Sequence, residues 1–261
     1  MSQYAPNKNW QSDSQHSAPF CAFATLSVAQ KRAPFWLPLA WGVNCHEGIV
    51  VMNGSLNRWY YFSGLLAPIW LLLGVALAGS FYPEYSHFNQ AMSELGAKGS
   101  PTHALSPLLN NYPLAVLFVL FGIGVIKTFP TSKLAIFSGA LVVIHGLASF
   151  SAGFFSCDIA CDLESPSTEQ NIHNISGLIL FFSLFVASVI WFFISKRCLG
   201  LNWFGWFSLV CSVVAIALLP LMAGAVESGV GFGLYQRLNY GSQVLWVFVF
   251  AMVLLRRNVH S

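Results

Sequence analysis

The segment LAIFSGALVVIHGLASFSAGFF, residues 134–155, decides the fold class of this chain. Apart from His145, every residue in it is apolar or small. A helix needs about 20 consecutive, predominantly apolar residues to cross the hydrocarbon core of a bilayer. The segment therefore predicts a transmembrane helix with one ionisable side chain inside it.

Five further apolar runs of similar character lie on either side of this segment. They cover approximately residues 59–80, 113–126, 175–194, 201–221 and 240–255. Charged residues make up 8% of the chain, whereas a soluble domain carries roughly 25%. We therefore predict an all-α, polytopic membrane protein with a bundle of six transmembrane helices.

The basic residues predict how these spans are oriented. Seven of them fall on one side of the membrane: Arg58, Lys127, Lys133, Lys196, Arg197, Arg256 and Arg257. The opposite side of the bundle receives Lys98 and Arg237. Since Lys and Arg are enriched in cytoplasmic loops, we expect both termini of the bundle in the cytoplasm.

The N-terminal region differs from the rest of the chain. Residues 1–57 are predicted to be a poorly ordered extension, 58–257 the transmembrane domain and 258–261 a cytoplasmic tail. Residues 1–51 lack the form of a signal peptide, and the sequence from Met52 has the character of an ordinary membrane-protein start. We expect 1–51 to be a dispensable extension or the result of an upstream start-site error, so that its deletion leaves membrane insertion intact.

The loop between the first two spans, residues 82–112, concentrates polar and turn-forming residues. Its part from Tyr85 to Leu95 predicts a short amphipathic helix, because apolar residues recur there at helical spacing. Four polar side chains in this part are candidates for substrate binding: Ser86, His87, Ser93 and Glu94.

His145 is a functional candidate because an ionisable side chain inside a span is costly and normally faces the bundle interior. With Asp158 and His173, which flank the next loop, it forms a hypothetical catalytic or metal-binding centre. The alternative is a neutral histidine that is hydrogen-bonded to a neighbouring helix, with Gly146 permitting the close approach.

The segment CDIACD, residues 157–162, allows two interpretations. Cysteine, aspartate and the nearby His173 together could bind a divalent metal such as zinc, although the spacing is not that of a zinc motif. On an oxidising outer face, a disulfide between Cys157 and Cys161 is the simpler account.

Arg237 is one of two basic residues on the outer side. It could hold a phosphate or carboxylate of a ligand, or it could pair with Glu94, Asp158 or Glu227. The net charge of +3 is small, and no Lys/Arg cluster indicates nucleic-acid binding.

Several motifs in this order resemble a family of membrane proteins catalogued as domain of unknown function 998. They are SELGAKGSP (residues 93–101), Asn110, His145, CDIAC (residues 157–161), His173 and GLYQR (residues 233–237). The resemblance implies a prokaryotic six-span protein of the plasma (inner) membrane. The SELG segment also distantly resembles the six-span family of FGF-receptor-activating protein, DRAM and Sfk, whose members act in lipid remodelling and membrane trafficking.

Two functional hypotheses follow. The first is an outward-facing protein that interacts with membrane lipids, in one version a membrane-embedded, metal-dependent hydrolase. His145, Asp158 and His173 would then be catalytic, and Arg237 would bind the head group with the polar loop residues. The alternative is a non-enzymatic scaffold or stress-response protein with a disulfide-locked outer loop.

Overall fold

The computed structural model of the chain describes residues 54–161 and 165–259. Within these ranges the chain forms α-helices and two short 3₁₀ turns, without a strand. The helices are α1 (Gly54–Ser80), α2 (Leu105–Leu109), α3 (Asn111–Thr128), α4 (Lys133–Phe154), α5 (Thr168–Leu199), α6 (Asn202–Ala217), α7 (Leu219–Ser228) and α8 (Phe232–Val259). The extension 1–51, expected to be dispensable, lies outside the described residues.

Among the described residues, six helical units are long and apolar enough to cross a membrane, which confirms the predicted six-helix bundle. The second unit combines α2 with α3, and the fifth combines α6 with α7. Successive spans run in alternate directions, so one end of the bundle carries the segments 81–104 and 229–231 and the described residues between α4 and α5 (155–161 and 165–167). We call this end the loop face. The short connections 129–132 and 200–201 lie at the opposite face.

Helices α5 and α8 begin earlier than the apolar runs that predicted them. Helix α5 begins at Thr168, where the Ser167 side chain accepts a hydrogen bond from the Gln170 N–H at 3.2 Å. This is an ordinary N-cap contact. Helix α8 begins at Phe232 and carries polar residues through its first two turns. Both helices therefore bring polar side chains to the loop face.

Helices α3 and α4 form the most extensive helix pair in the described structure. Their contact depends on small residues: a Cβ on Gly146 would lie 2.7 Å from the Ala115 carbonyl oxygen, and one on Gly139 would lie 2.9 Å from that of Gly122. Small residues allow transmembrane helices to approach closely and gain dispersion contacts. The glycines therefore set the distance between these helices.

Aromatic side chains fill the centre of the bundle towards the opposite face. The Phe250 ring centroid lies 4.4 Å from that of Trp191 and 5.2 Å from that of Phe204. The Trp191 indole N–H donates to Ser138 Oγ at 2.9 Å. This bond satisfies the one polar atom that the ring brings into an apolar interior.

The predicted amphipathic helix between Tyr85 and Leu95 is wrong. The loop 81–104 consists of turns and one short 3₁₀ turn, Ser93–Gly96. Polar side chains bind the backbone there: Glu94 Oε1 accepts the Ala91 N–H at 2.8 Å, and Ser86 Oγ accepts the Asn89 N–H at 3.2 Å. Such local side-chain bonds compete with helix formation.

The same loop also binds the N-terminus of α8. The Phe88 and Asn89 carbonyl oxygens accept the N–H groups of Leu234 and Gly233 at 2.8 and 3.2 Å. The first N–H groups of a helix have no partner within the helix. The loop therefore supplies acceptors to α8, and an independent helix at 85–95 could not offer these carbonyls.

Candidate functional site

A cavity of about 320 Å³ lies at the loop face between α1, the loop 81–104 and the start of α8. It combines an apolar wall with a polar end. The lining residues are Leu71, Leu72, Val75 and Ala76 from α1, His87 and Met92 from the loop, and Arg237, Tyr240 and Gly241 from α8.

The apolar wall is continuous with the lipid-facing surface of α1. Leu72 lines the cavity and is 72% exposed, and the adjacent Leu73, which does not line the cavity, is 63% exposed. At this position along a transmembrane helix, the exposed surface contacts acyl chains. The apolar wall of the cavity therefore adjoins exposed apolar surface of α1.

Arg237 dominates the polar end. Its Nη1 donates to the carbonyl oxygens of Gln90 and Gly233, both at 2.9 Å. Its Nη2 donates to the Tyr85 hydroxyl at 2.8 Å and to His87 Nδ1 at 3.3 Å. All four acceptors are neutral, so these contacts fix the guanidinium without compensating its charge.

No carboxylate of the described residues forms an ion pair with Arg237. The pairing considered from the sequence, with Glu94, Asp158 or Glu227, is therefore absent from this part of the chain. Glu94 is instead occupied within its own loop, where Oε2 accepts the Gln90 Nε2–H at 2.9 Å.

His87 lies beside this guanidinium. Because Nδ1 accepts from Arg237, the remaining proton of the neutral ring is on Nε2. Partial desolvation of the ring, and after it the Arg237 charge, lower the pKa of His87. The ring also stands edge-on to Tyr85 with 5.0 Å between centroids. His87 is thus neutral at pH 7.

Tyr85 completes the polar end. Its hydroxyl donates to the Ala91 carbonyl oxygen at 2.6 Å while accepting from Arg237. Burial raises the pKa of Tyr85, although the Arg237 charge opposes this. The phenol therefore stays neutral and links the loop to α8.

The other predicted binding residues of the loop do not line the cavity. Ser86 and Glu94 hold backbone N–H groups of the loop, as described above. The Ser93 carbonyl oxygen lies 3.6 Å from Cys157 Sγ, at the contact with the next loop. Of the five predicted binding residues, the cavity unites His87 and Arg237.

His145 lies fully buried behind the cavity, where it connects three helices. Its Nδ1 faces the Leu180 carbonyl oxygen of α5 at 3.0 Å, and its Nε2 lies 2.9 Å from the Tyr240 hydroxyl of α8. A carbonyl can only accept, so Nδ1 carries the proton and Nε2 accepts from Tyr240. This geometry corresponds to the neutral, hydrogen-bonded histidine that the sequence analysis gave as the alternative.

Asp158 belongs to a separate network between the two longer loops. Its carboxylate accepts the backbone N–H and the hydroxyl of Ser167, each at 2.8 Å, and lies 3.1 Å from Lys98 Nζ. Lys98 Nζ also lies 2.7 Å from Glu169. The Ser167 bonds, followed by Lys98, lower the pKa of Asp158. Asp158 thereby joins the first loop to the start of α5.

His173 serves the end of α4. Its Nδ1 donates to the carbonyl oxygens of Ala152 and Phe155 at 3.0 and 2.9 Å. The last carbonyls of a helix lack partners within the helix, and the imidazole supplies one. His173 therefore connects α5 to the end of α4.

The predicted metal centre does not assemble among the described residues. No group of three or more His, Cys, Asp or Glu side chains there could hold a metal ion. The physical reason is that His145, Asp158 and His173 each have different partners. Cys157 and Cys161 form a disulfide with 5.0 Å between their Cα atoms. Catalysis by the three residues stays a prediction.

Most of the residues that line the cavity were not predicted from the sequence. Nothing in the sequence connects Tyr240 to His145. The α1 wall resembles any lipid-facing helix surface, and Gly241 carries no chemical signal. Gln243, one turn further along α8, is buried, and neither polar atom of its amide has a partner among the described residues.

Comparison with known proteins gives one match. The model of a family described as "Protein of unknown function (DUF998)" matches residues 65–253, which include the spans and loops that form the cavity. No curated protein and no solved structure matches the chain.

Proposed function

The chain belongs to the DUF998 family of membrane proteins of unknown function, and on this premise we propose that it binds an anionic lipid in the cavity between α1, the loop 81–104 and α8. The lipid places its acyl chain along Leu72 and its head group against Arg237. One observation carries the proposal: an arginine without a carboxylate partner among the described residues lies at the end of an apolar cavity.

The chemistry of the two ends supports an amphiphilic ligand. A buried or half-buried charge is stabilised by an opposite charge, and a guanidinium matches carboxylate and phosphate oxygens. The apolar wall continues into the lipid-facing surface of α1, which favours a ligand that arrives from the membrane. A volume of about 320 Å³ is at the small end of ligand pockets, which favours one chain over two.

We place the loop face outside the plasma membrane and both ends of the bundle in the cytoplasm. The seven basic residues at the opposite face support this orientation, as does the disulfide between Cys157 and Cys161 in a loop of the other face. Labelling with a membrane-impermeant thiol reagent tests it. An introduced Glu84→Cys should react in intact cells beyond the background of the parent protein, and Thr131→Cys only after permeabilisation.

Lipid binding is tested with purified protein and two lysolipids of equal chain length. Native mass spectrometry should detect lysophosphatidylglycerol, which is anionic, at roughly tenfold or higher affinity than zwitterionic lysophosphatidylcholine, as expected for a charge-assisted contact. Gly241→Leu should remove most of this binding. A Cβ at Gly241 meets nothing within 4 Å, and Gly241 lines the cavity, so we expect the new side chain to enter it.

Gly177→Leu is the matched control, because a Cβ there also meets nothing within 4 Å and Gly177 does not line the cavity. It should bind the lipid like the parent protein. Equal affinity for the two lysolipids would refute selection for an anion. Unchanged binding by Gly241→Leu would refute the cavity as the site.

A second candidate function, a non-enzymatic scaffold with a locked outer loop, is favoured by the Lys98 network. Lys98 bonds to Asp158 and Glu169 through its side chain, and its N–H donates to the Cys157 carbonyl oxygen at 2.9 Å. These contacts hold the two longer loops together independently of any ligand. The scaffold function predicts that Lys98→Met lowers the melting temperature. It also predicts that Gly241→Leu and Gly177→Leu bind lysolipid no differently from the parent protein.

A further inference from the structure

His87 makes the weakest of the four contacts of Arg237. The Nη2–Nδ1 distance is 3.3 Å, whereas the other three acceptors lie at 2.8 to 2.9 Å. Of the four acceptors, His87 is the one whose side chain both lines the cavity and is exposed. An anion that approaches Arg237 from the cavity therefore meets His87 first and displaces it at the least cost.

Among the groups that face the His87 ring, Arg237 is the charged one, and its charge therefore affects the protonation of His87. On the α1 side the ring faces Gly79, where an added Cβ would lie 2.7 Å from Nε2, and residues 71–80 carry no titratable side chain. On the loop side it faces Tyr85, which is neutral. Glu94, near Tyr85, accepts the Ala91 N–H and the Gln90 amide. On the α8 side it faces Arg237.

We propose that an anion bound at Arg237 takes the place of His87 on Nη2 and that His87 then takes up a proton from solvent, so that the protein binds anionic lipid more tightly at acidic pH. The inference rests on the proposed lipid site and adds its regulation. The freed Nδ1 receives the proton, and the imidazolium donates to the same anion that Arg237 binds.

The electrostatic reason is the reversal of the field at the imidazole. In the free protein, partial desolvation of the ring, and after it the repulsion from the guanidinium, lower the pKa of His87. A bound anion compensates the guanidinium and adds an attractive charge within hydrogen-bonding distance. The protonated ring is therefore favoured in the complex and disfavoured in the free protein.

The sign of the pH dependence follows from linkage. A complex that binds more protons than the free protein gains affinity as the pH falls, by at most tenfold per pH unit for one group. The gain begins below the His87 pKa in the complex. It levels off below the His87 pKa in the free protein, which lies under the ordinary value of about 6.5.

The test measures the Kd for lysophosphatidylglycerol between about pH 5 and pH 8, the range in which histidine titrates. The phosphodiester keeps its charge in this range, so the probe itself contributes no slope. As the pH is lowered, the Kd should fall by roughly threefold to tenfold per pH unit. His87→Gln should abolish the slope, because its amide can accept from Arg237 but does not titrate.

His103→Gln is the matched control. His103 lies in the same loop, where its Nδ1 bonds to the Gly96 carbonyl oxygen at 2.9 Å, and it does not line the cavity. It should retain the parent slope. A second measurement needs no variant: titration calorimetry in buffers of different ionisation enthalpy should show net proton uptake on lipid binding near pH 6.

The outcomes separate the two proposals. Binding without a pH slope, or with the same slope in His87→Gln, would overturn proton uptake by His87 while leaving the lipid site in place. Absence of lysophosphatidylglycerol binding at every pH would overturn the lipid site, and the inference with it.

Discussion

The Nε2 atom of His145 and the hydroxyl oxygen of Tyr240 lie 2.9 Å apart, although 95 positions separate the two residues in the chain. The bond joins α4 to α8 in the interior of the bundle. On the other side of the imidazole, Nδ1 donates to the Leu180 carbonyl oxygen of α5 at 3.0 Å. One side chain thus connects three transmembrane helices, and its partner Tyr240 also lines the cavity.

Tyr240→Phe should destabilise the protein. The change keeps the ring but leaves the buried Nε2 of His145 without its donor, which costs about 1–3 kcal/mol. Thermal unfolding of the detergent-solubilised protein measures the effect. Tyr235→Phe is the control, since the Tyr235 hydroxyl has no hydrogen bond among the described residues. Equal melting temperatures for the two variants would contradict a stabilising role of the His145–Tyr240 bond.

Gly146→Ala should separate α3 from α4. The new Cβ would lie 2.7 Å from the backbone oxygen of Ala115, and backbone cannot move aside as a flexible side chain can. Overpacking of this kind costs about 1–3 kcal/mol, which should appear as a lower melting temperature.

Gly177→Ala is the comparison for this change, because nothing lies within 4 Å of its Cβ position. It should be neutral or slightly stabilising, since alanine favours the helix by about 1 kcal/mol over glycine. If Gly146→Ala behaved like Gly177→Ala, the close approach of α3 and α4 would not depend on the glycine.

Asp158 should make the stability of the folded protein depend on pH in the acidic range. Ser167 and Lys98 lower the pKa of its carboxyl in the folded protein, so its stabilising contribution is present above the unfolded value of about 3.9. It is lost as the pH falls through the folded value. Asp158→Asn should therefore lower the melting temperature at neutral pH, and the difference from the parent should shrink as the medium is acidified towards pH ~3.

Glu84→Gln provides the control for the acid series, since Glu84 is exposed and forms no ion pair or side-chain hydrogen bond among the described residues. It should match the parent at every pH. A deficit of Asp158→Asn that stayed constant down to low pH would mean that the charge of Asp158 does not stabilise the folded state.

The disulfide between Cys157 and Cys161 should contribute modestly to stability. It closes a loop with a sequence separation of 4, for which the chain-entropy relation gives roughly 2 kcal/mol. Replacing both cysteines with serine should therefore lower the melting temperature relative to the parent protein. An unchanged melting temperature of the double variant would contradict a stabilising role of this disulfide.

The three side chains that were predicted to form one centre, His145, Asp158 and His173, instead make separate structural contacts. Asp158 and His173 come from neighbouring parts of the chain, but Asp158 joins the two longer loops and His173 binds the end of α4. Their proximity in sequence to His145 suggested a shared pocket. Proximity in a hairpin does not determine which way each side chain points, and that direction is set by the partner that each one finds.

The loop 81–104 shows the same limit. Its apolar spacing is helical between Tyr85 and Leu95, and an isolated segment of this pattern would favour a helix. The partners of the loop are the N–H groups of Gly233 and Leu234, which lie more than 140 positions further along the chain. Local periodicity carries no information about them.

The sequence by itself determined the fold class and the six spans, because the bilayer requires about 20 apolar residues for each crossing and each helix satisfies its own backbone. Only the tertiary structure decided the cavity, the pairing of His145 with Tyr240 and the isolation of Arg237 from the described carboxylates. These features depend on contacts between residues distant in the chain, which helix packing brings together after each span has formed.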